Sequence, residues 1–320
     1  MSTASLGFGD WKLDPSVVLA IGGIAAAWVV ARRRGVLRAD DDVAPWFGTE
    51  SARAWCLGLG LLSGFVALAS PIDVGGDLYL LSIHMVQHLL LMMIAPPLVL
   101  LGICGARSLP ATVLPRLRSA WTLLTRPWPA TLLFNAVLLV WHLPQLYNTT
   151  LTNESLHVVE HITFLAVGVI FWWPIVDPVQ GPSTRPIGPF TKIAMLVVAG
   201  VPPTVLGFVF ALGGRPFYDF YAAAPRLWGL SPTGDQALAG VIMLGVGNLI
   251  YFAAVSAIFL RMFQPPDADE EEIAPPVAAR AVPDLPVGAS ALSSSQNQRP
   301  RPILRTEPVR PPAAKGGSTP

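Results

Sequence analysis

The run from Leu78 to Cys104, LYLLSIHMVQHLLLMMIAPPLVLLGIC, contains no Asp, Glu, Lys or Arg. At a helical rise of about 1.5 Å per residue it exceeds the roughly 30 Å hydrocarbon core of a bilayer. In lipid every backbone N–H and C=O must be paired internally, and a continuous apolar run does so as a helix. This run also carries His84 and His88. Four residues turn a helix by about 400°, so both imidazoles leave one face, one above the other. An ionisable side chain inside a membrane span marks a functional position, because placing it among leucines is costly.

Composition extends the argument to the whole chain. Of 320 residues, 52% are hydrophobic and 13% charged, against about 25% charged in a soluble domain. The mean hydropathy is +0.54. An all-α polytopic membrane protein is expected, with seven transmembrane helices near Pro15–Ala31, Arg53–Ala69, Leu78–Cys104, Trp128–Leu146, His157–Val176, Ile193–Leu212 and Gln236–Met262. Asp10, Lys12 and Asp14 precede the first span and Arg32, Arg33 and Arg34 follow it. That is the reverse of a secretory signal, so the first span is expected to be retained.

Basic residues set the orientation. Arg32, Arg33, Arg34, Arg38 and Arg53 follow span one; Arg107, Arg116, Arg118 and Arg126 follow span three; Arg185 and Lys192 follow span five. The alternate loops hold only Arg215 and Arg226. The N-terminus is therefore expected outside and the C-terminus in the cytoplasm, in a multi-pass protein of the plasma membrane. Residues 1–14 form the extracytoplasmic N-terminus and 15–262 the membrane domain. Residues 263–320 form a cytoplasmic tail that starts with Asp267, Asp269, Glu270, Glu271 and Glu272 and continues rich in Pro, Ala, Ser and Arg. It lacks apolar periodicity and reads as disordered. Membrane lipid surrounds the chain, no nucleic-acid partner is expected, and a homo-oligomer is compatible with the sequence. Cys56 and Cys104 have no metal-binding spacing and read as packing residues. Trp128, Trp141, Trp172 and Trp173 fall near span ends, as in an aromatic belt. Pro96-Pro97 and Pro202-Pro203 are expected to kink spans three and six, shaping them or hinging an outward cavity.

The chain has five histidines, and the topology puts His84, His88, His142, His157 and His161 on the outer side. His157 and His161 repeat the one-turn spacing that lets two imidazoles reach one ion. From the helical rise, His84 lies about 9 Å deep, His88 about 15 Å, and His142 and His161 about 6 Å. The expected cluster is His84, His142, His157 and His161, with His88 deeper. Imidazole suits Zn, Cu, Fe and Ni, and copper binds most strongly among the divalent ions. Met92 falls on the face of the first pair, where a thioether favours Cu(I) or simply packs, while Met85 and Met93 are expected to face elsewhere. Asp77, seven residues before His84, is expected on the same face, to attract a cation or to start the helix. Glu160 is placed to orient a ligand histidine. Bound imidazoles are neutral, so occupancy is expected to fall below about pH 6.5.

Four stretches resemble the polytopic CtaG family of cytochrome c oxidase assembly factors: SPIDVGGDLYLLSIHMVQHLLLMMIAPPLVLLG (Ser70 to Gly102), WHLPQLYNTTL (Trp141 to Leu151), HVVEHITFLAVGVIFWWPIVDP (His157 to Pro178) and DQALAGVIM (Asp235 to Met243). The resemblance covers about Ala54 to Met262. It implies a non-enzymatic role in building haem–copper oxidase, with copper supplied to the copper-B centre of subunit I. It carries the ligand role onto His84, His88, His142, His157 and His161 and matches Asp235 to the family's acidic position; Leu244 stands where an aromatic is expected. Two other functions fit the histidines: a seven-span zinc hydrolase with Asp77, Glu160 or Asp235 as acid or base, and a haem-binding electron carrier.

Overall fold

Helices begin where the sequence supplies a cap. Asp14, Thr49, Ser70, Asn153 and Ser231 each accept a hydrogen bond from a backbone N–H two or three residues on, which satisfies a donor the helix cannot pair itself. The computed structural model describes residues 6–7, 9–37, 49–104, 115–179 and 186–263. In chain order the helices are α1 (Pro15–Arg33), α2 (Glu50–Ala69), α3 (Pro71–Leu78), α4 (Leu81–Gly102), α5 (Pro115–Leu124), α6 (Pro127–Trp141), α7 (Pro144–Thr150), α8 (Glu154–Val176), α9 (Pro189–Leu212), α10 (Asp219–Ala223) and α11 (Pro232–Arg261). Among the described residues there is no strand. Arg38, Arg107, Arg185 and the tail 264–320 lie outside them.

Among the described residues six helices, α1, α2, α4, α8, α9 and α11, are long and apolar enough to cross a membrane. The fold is all-helical and polytopic. The expected boundaries shift for identifiable reasons. α2, α8 and α11 start three or four residues early, because a capping side chain and a polar first turn precede the apolar run, and α9 starts four early, at Pro189, which suits a first helical position. The third span starts at Leu81 rather than Leu78, because Tyr79 and Leu80 leave helical geometry and detach α3. The fourth, expected to reach Leu146, ends at Trp141 after 15 residues. Its backbone breaks at His142 and restarts at Pro144, which has no N–H to continue the ladder. α5 meets α6 at a bend of 79°.

α4 is the centre of the bundle, packed by α2, α3, α8 and α11. It passes through a π turn at Leu90–Ile94, and the sequence explains why. Pro96 and Pro97 stand four and five residues after Met92 and lack the N–H that would take its carbonyl. The Trp172 indole of α8 donates to that oxygen instead, at 3.2 Å. Gly168 lets α8 come this close, since a Cβ there would lie 2.9 Å from the same oxygen. α11 has its own π turn at Met243–Gly247. Trp172 is thus a core residue, and so is Trp141, whose indole donates to Thr163 Oγ1 at 2.8 Å; neither belongs to an aromatic belt. Trp128 remains exposed. Pro202 and Pro203 lie inside an unbroken α9. Val201, Val205, Phe208 and Leu212 of α9, with Leu59 and Leu62 of α2, form apolar surface suited to lipid.

Candidate metal centre

The first turn of α4 fixes the site. Leu80 offers no side-chain cap, and Asp235 of α11 supplies one from across the bundle. Its Oδ2 accepts from Leu81 N at 2.7 Å and its Oδ1 from Ser82 N at 3.0 Å. The resemblance matched Asp235 to the family's acidic position, and the hydrolase reading made it a candidate acid or base; here both of its oxygens serve the helix that carries His84. α3 lies against the same turn: a Cβ on Gly76 would sit 2.9 Å from His84 Cα.

The five imidazoles are all buried. Ring centroids lie 4.3 Å apart for His84–His88, 5.3 Å for His84–His157, 6.1 Å for His84–His161, 5.9 Å for His88–His161 and 4.2 Å for His157–His161. His142 meets the group only through His88, at 6.0 Å. This reverses the expected ranking: His88 is central and His142 peripheral. The cause is the short α6, which delivers His142 beside His88 instead of beside His84.

Hydrogen bonds determine which nitrogens are available. Tyr221 of α10 donates its hydroxyl hydrogen to Gly76 O at 2.6 Å, so its oxygen accepts from His84 Nδ1–H at 2.9 Å. The lone pair of His84 is therefore on Nε2. His142 Nδ1 donates to Leu138 O at 2.7 Å, again leaving Nε2. The Nε2 atoms of His84, His88, His142, His157 and His161 are buried without a hydrogen-bond partner among the described residues. Each such atom costs about 1–3 kcal/mol when unmatched, so the arrangement is costly as protein packing alone and suits an ion bound by nitrogen. Among the described residues two sets have ligand atoms all within 4.8 Å of one another, His84–His88–His161 and Asp77–His84–His157.

Asp77 reaches the cluster by a different route from the one expected. The break at Tyr79 and Leu80 removes the common helical face, yet folding α3 back on α4 brings Asp77 Oδ1 to 3.5 Å from His157 Nε2. Burial, and next the Asp73 carboxylate, push its carboxyl up to about 8. Glu160 Oε1 lies 3.6 Å from His88 Nε2, across the bundle rather than beside its own neighbour His161. Sequence reasoning missed three tyrosines. Tyr221 fixes His84, Tyr218 donates to His142 O at 2.9 Å, and Tyr147 stacks on Tyr218 at 4.1 Å. The signal was their clustering in YNTT and FYDFY, since a buried tyrosine needs a partner for its hydroxyl.

Beyond His88 and His142 is a cavity of about 30 Å³ lined by Met85, Met92, Met93 and Met243 among others. Met85 and Met93 were expected to face elsewhere; the π turn changes the register after Leu89 and brings Met92 and Met93 to one wall. Imidazole with adjacent thioether is a donor set that suits copper. Cys56 and Cys104 are free and buried.

Uncharacterized proteins of Mycobacterium bovis and Mycobacterium tuberculosis are each 28% identical to the chain over 241 residues, covering 67% of it and 31% of their own length. One of Mycobacterium leprae is 25% identical over 279 residues, covering 78% and 39%. The chain thus spans about a third of the length of the curated relatives it matches. No solved structure matches it. Residues 24–264 match the family described as cytochrome c oxidase caa3 assembly factor (Caa3_CtaG), and the chain belongs to that family.

Proposed function

We propose that this chain holds copper on His84, His88, His142, His157 and His161 and delivers it to the copper-B centre of subunit I of cytochrome c oxidase. One observation carries the reading: buried imidazole rings from α4, α8 and the end of α6 gather with their Nε2 atoms unpaired among the described residues. The metal is cargo, so it has to leave, and a set of neutral imidazoles releases copper more readily than thiolates would. Imidazoles also survive an oxidising exterior. The chain acts as a carrier and not as an enzyme.

In this reading it crosses the plasma membrane seven times, with α6 as the short additional crossing. Arg32, Arg33 and Arg34 near the end of α1, Arg118 and Arg126 before α6, Lys192 in α9 and Arg261 at the end of α11 favour one side as cytoplasmic. The histidines then open to the other side, with 1–14 outside, 15–262 in the membrane and 263–320 as a cytoplasmic tail. His84→Ala and His161→Ala are the test. Both variants are expected to lower oxidase activity and the copper content of subunit I while its haem is retained. Normal copper loading in both rejects delivery. Elemental analysis of the purified protein separates copper from the zinc of a hydrolase, and a Soret band would indicate haem.

A further inference from the structure

We propose that the cluster forms two overlapping stations for a single ion, a rim station of Asp77, His84 and His157 and a deep station of His84, His88 and His161, with His84 as the pivot between them. The inference rests on the copper reading above and specifies how the ion moves within that site.

Burial separates the stations. The side chains of Asp77 and His157 are 20% and 11% exposed, and that of His88 is 5% exposed; His84 is fully buried. A cation from solvent therefore meets the rim first. There the carboxylate supplies the one hard oxygen donor of the two sets, suited to an ion still shedding water, whereas the deep set is all imidazole.

Exclusivity follows from the tautomer. Tyr221 and Gly76 commit the His84 Nδ1 proton, so His84 offers one lone pair, on Nε2. One lone pair binds one ion, and both stations need it, since His84 belongs to each set. They cannot be full together. Donor separations of up to 4.8 Å within each set exceed the roughly 4 Å limit for two nitrogens on one ion at about 2.0 Å by less than a rotamer adjustment. In the hand-over, the bonds to Asp77 and His157 break, those to His88 and His161 form, and the bond to His84 persists. The ion keeps its oxidation state, the neutral imidazoles release no proton, and the proton that Asp77 gives up on binding the ion returns to its carboxylate when the ion moves on.

The test uses the full chain in detergent and copper(I) bis-bicinchoninate, whose colour is lost as copper leaves it. Wild type is expected to take up one ion. Asp77→Asn is expected to take up one ion as well, at a rate lower by about tenfold, the scale on which a lost donor weakens a metal site. His157→Gln gives the same slow uptake and decides the matter if Asp77→Asn fails to fold. Two ions per wild-type chain, or wild-type uptake rates in both variants, overturn the two stations and leave the copper reading intact. A wild-type chain that takes no copper overturns the copper reading instead.

Discussion

Two carboxylates flank the first turn of α4, and they are bonded in opposite ways. Asp235 gives both oxygens to backbone amides, at 2.7 and 3.0 Å. Asp77, on the other side of the same turn, has a buried Oδ1 that no donor reaches among the described residues, and His157 Nε2 lies 3.5 Å away. A buried carboxyl group whose hydrogen bonds are complete belongs to the architecture. One left incomplete beside other incomplete groups belongs to a site. From sequence the two were interchangeable, as acids near the outer ends of spans.

The largest effect separating them is expected at Asp235. Asp235→Ala removes two bonds from a charged acceptor, worth about 1.5–3 kcal/mol each, and should lower stability by about 3–6 kcal/mol in thermal unfolding of the detergent-solubilised protein. Asp235→Asn keeps one acceptor and should lose about half of that. Next comes Trp172→Phe, which leaves the Met92 carbonyl unpaired in the π turn, with an expected loss of about 2 kcal/mol. Gly76→Ala follows: its methyl would meet the His84 backbone and force α3 outward, at about 1–2 kcal/mol. The smallest stability change is expected for Asp77→Asn, within about 0.5 kcal/mol, since its Oδ1 has no hydrogen bond to lose. If Asp77→Asn unfolds as readily as Asp235→Ala, the contrast between the two carboxylates fails.

The membrane helices were legible because apolar length alone decides them, and the family was legible from the motifs around His84 and His157. The helical pairings of His84 with His88 and of His157 with His161 hold, with ring centroids 4.3 and 4.2 Å apart. Less legible was everything set by a departure from ideal helix. Depth computed along a continuous α4 and a full-length fourth span could not rank His88 above His142, because α6 stops at Trp141. The faces of Met92 and Met93 depended on the π turn, whose cause, two prolines four and five residues after a carbonyl, was present in the sequence as a kink signal. Tyr221 was out of reach, since its contact with His84 spans 137 residues of chain.

The paired prolines have a mechanical consequence. Because neither Pro96 nor Pro97 can add a rung to the ladder, α4 is most compliant between Leu90 and Ile94, and its histidine-bearing half tilts there more cheaply than elsewhere. The stitch across that seam comes from Trp172, on the helix that carries His157 and His161. Deforming α4 therefore loads α8, and four of the five rings are geared together through a single indole.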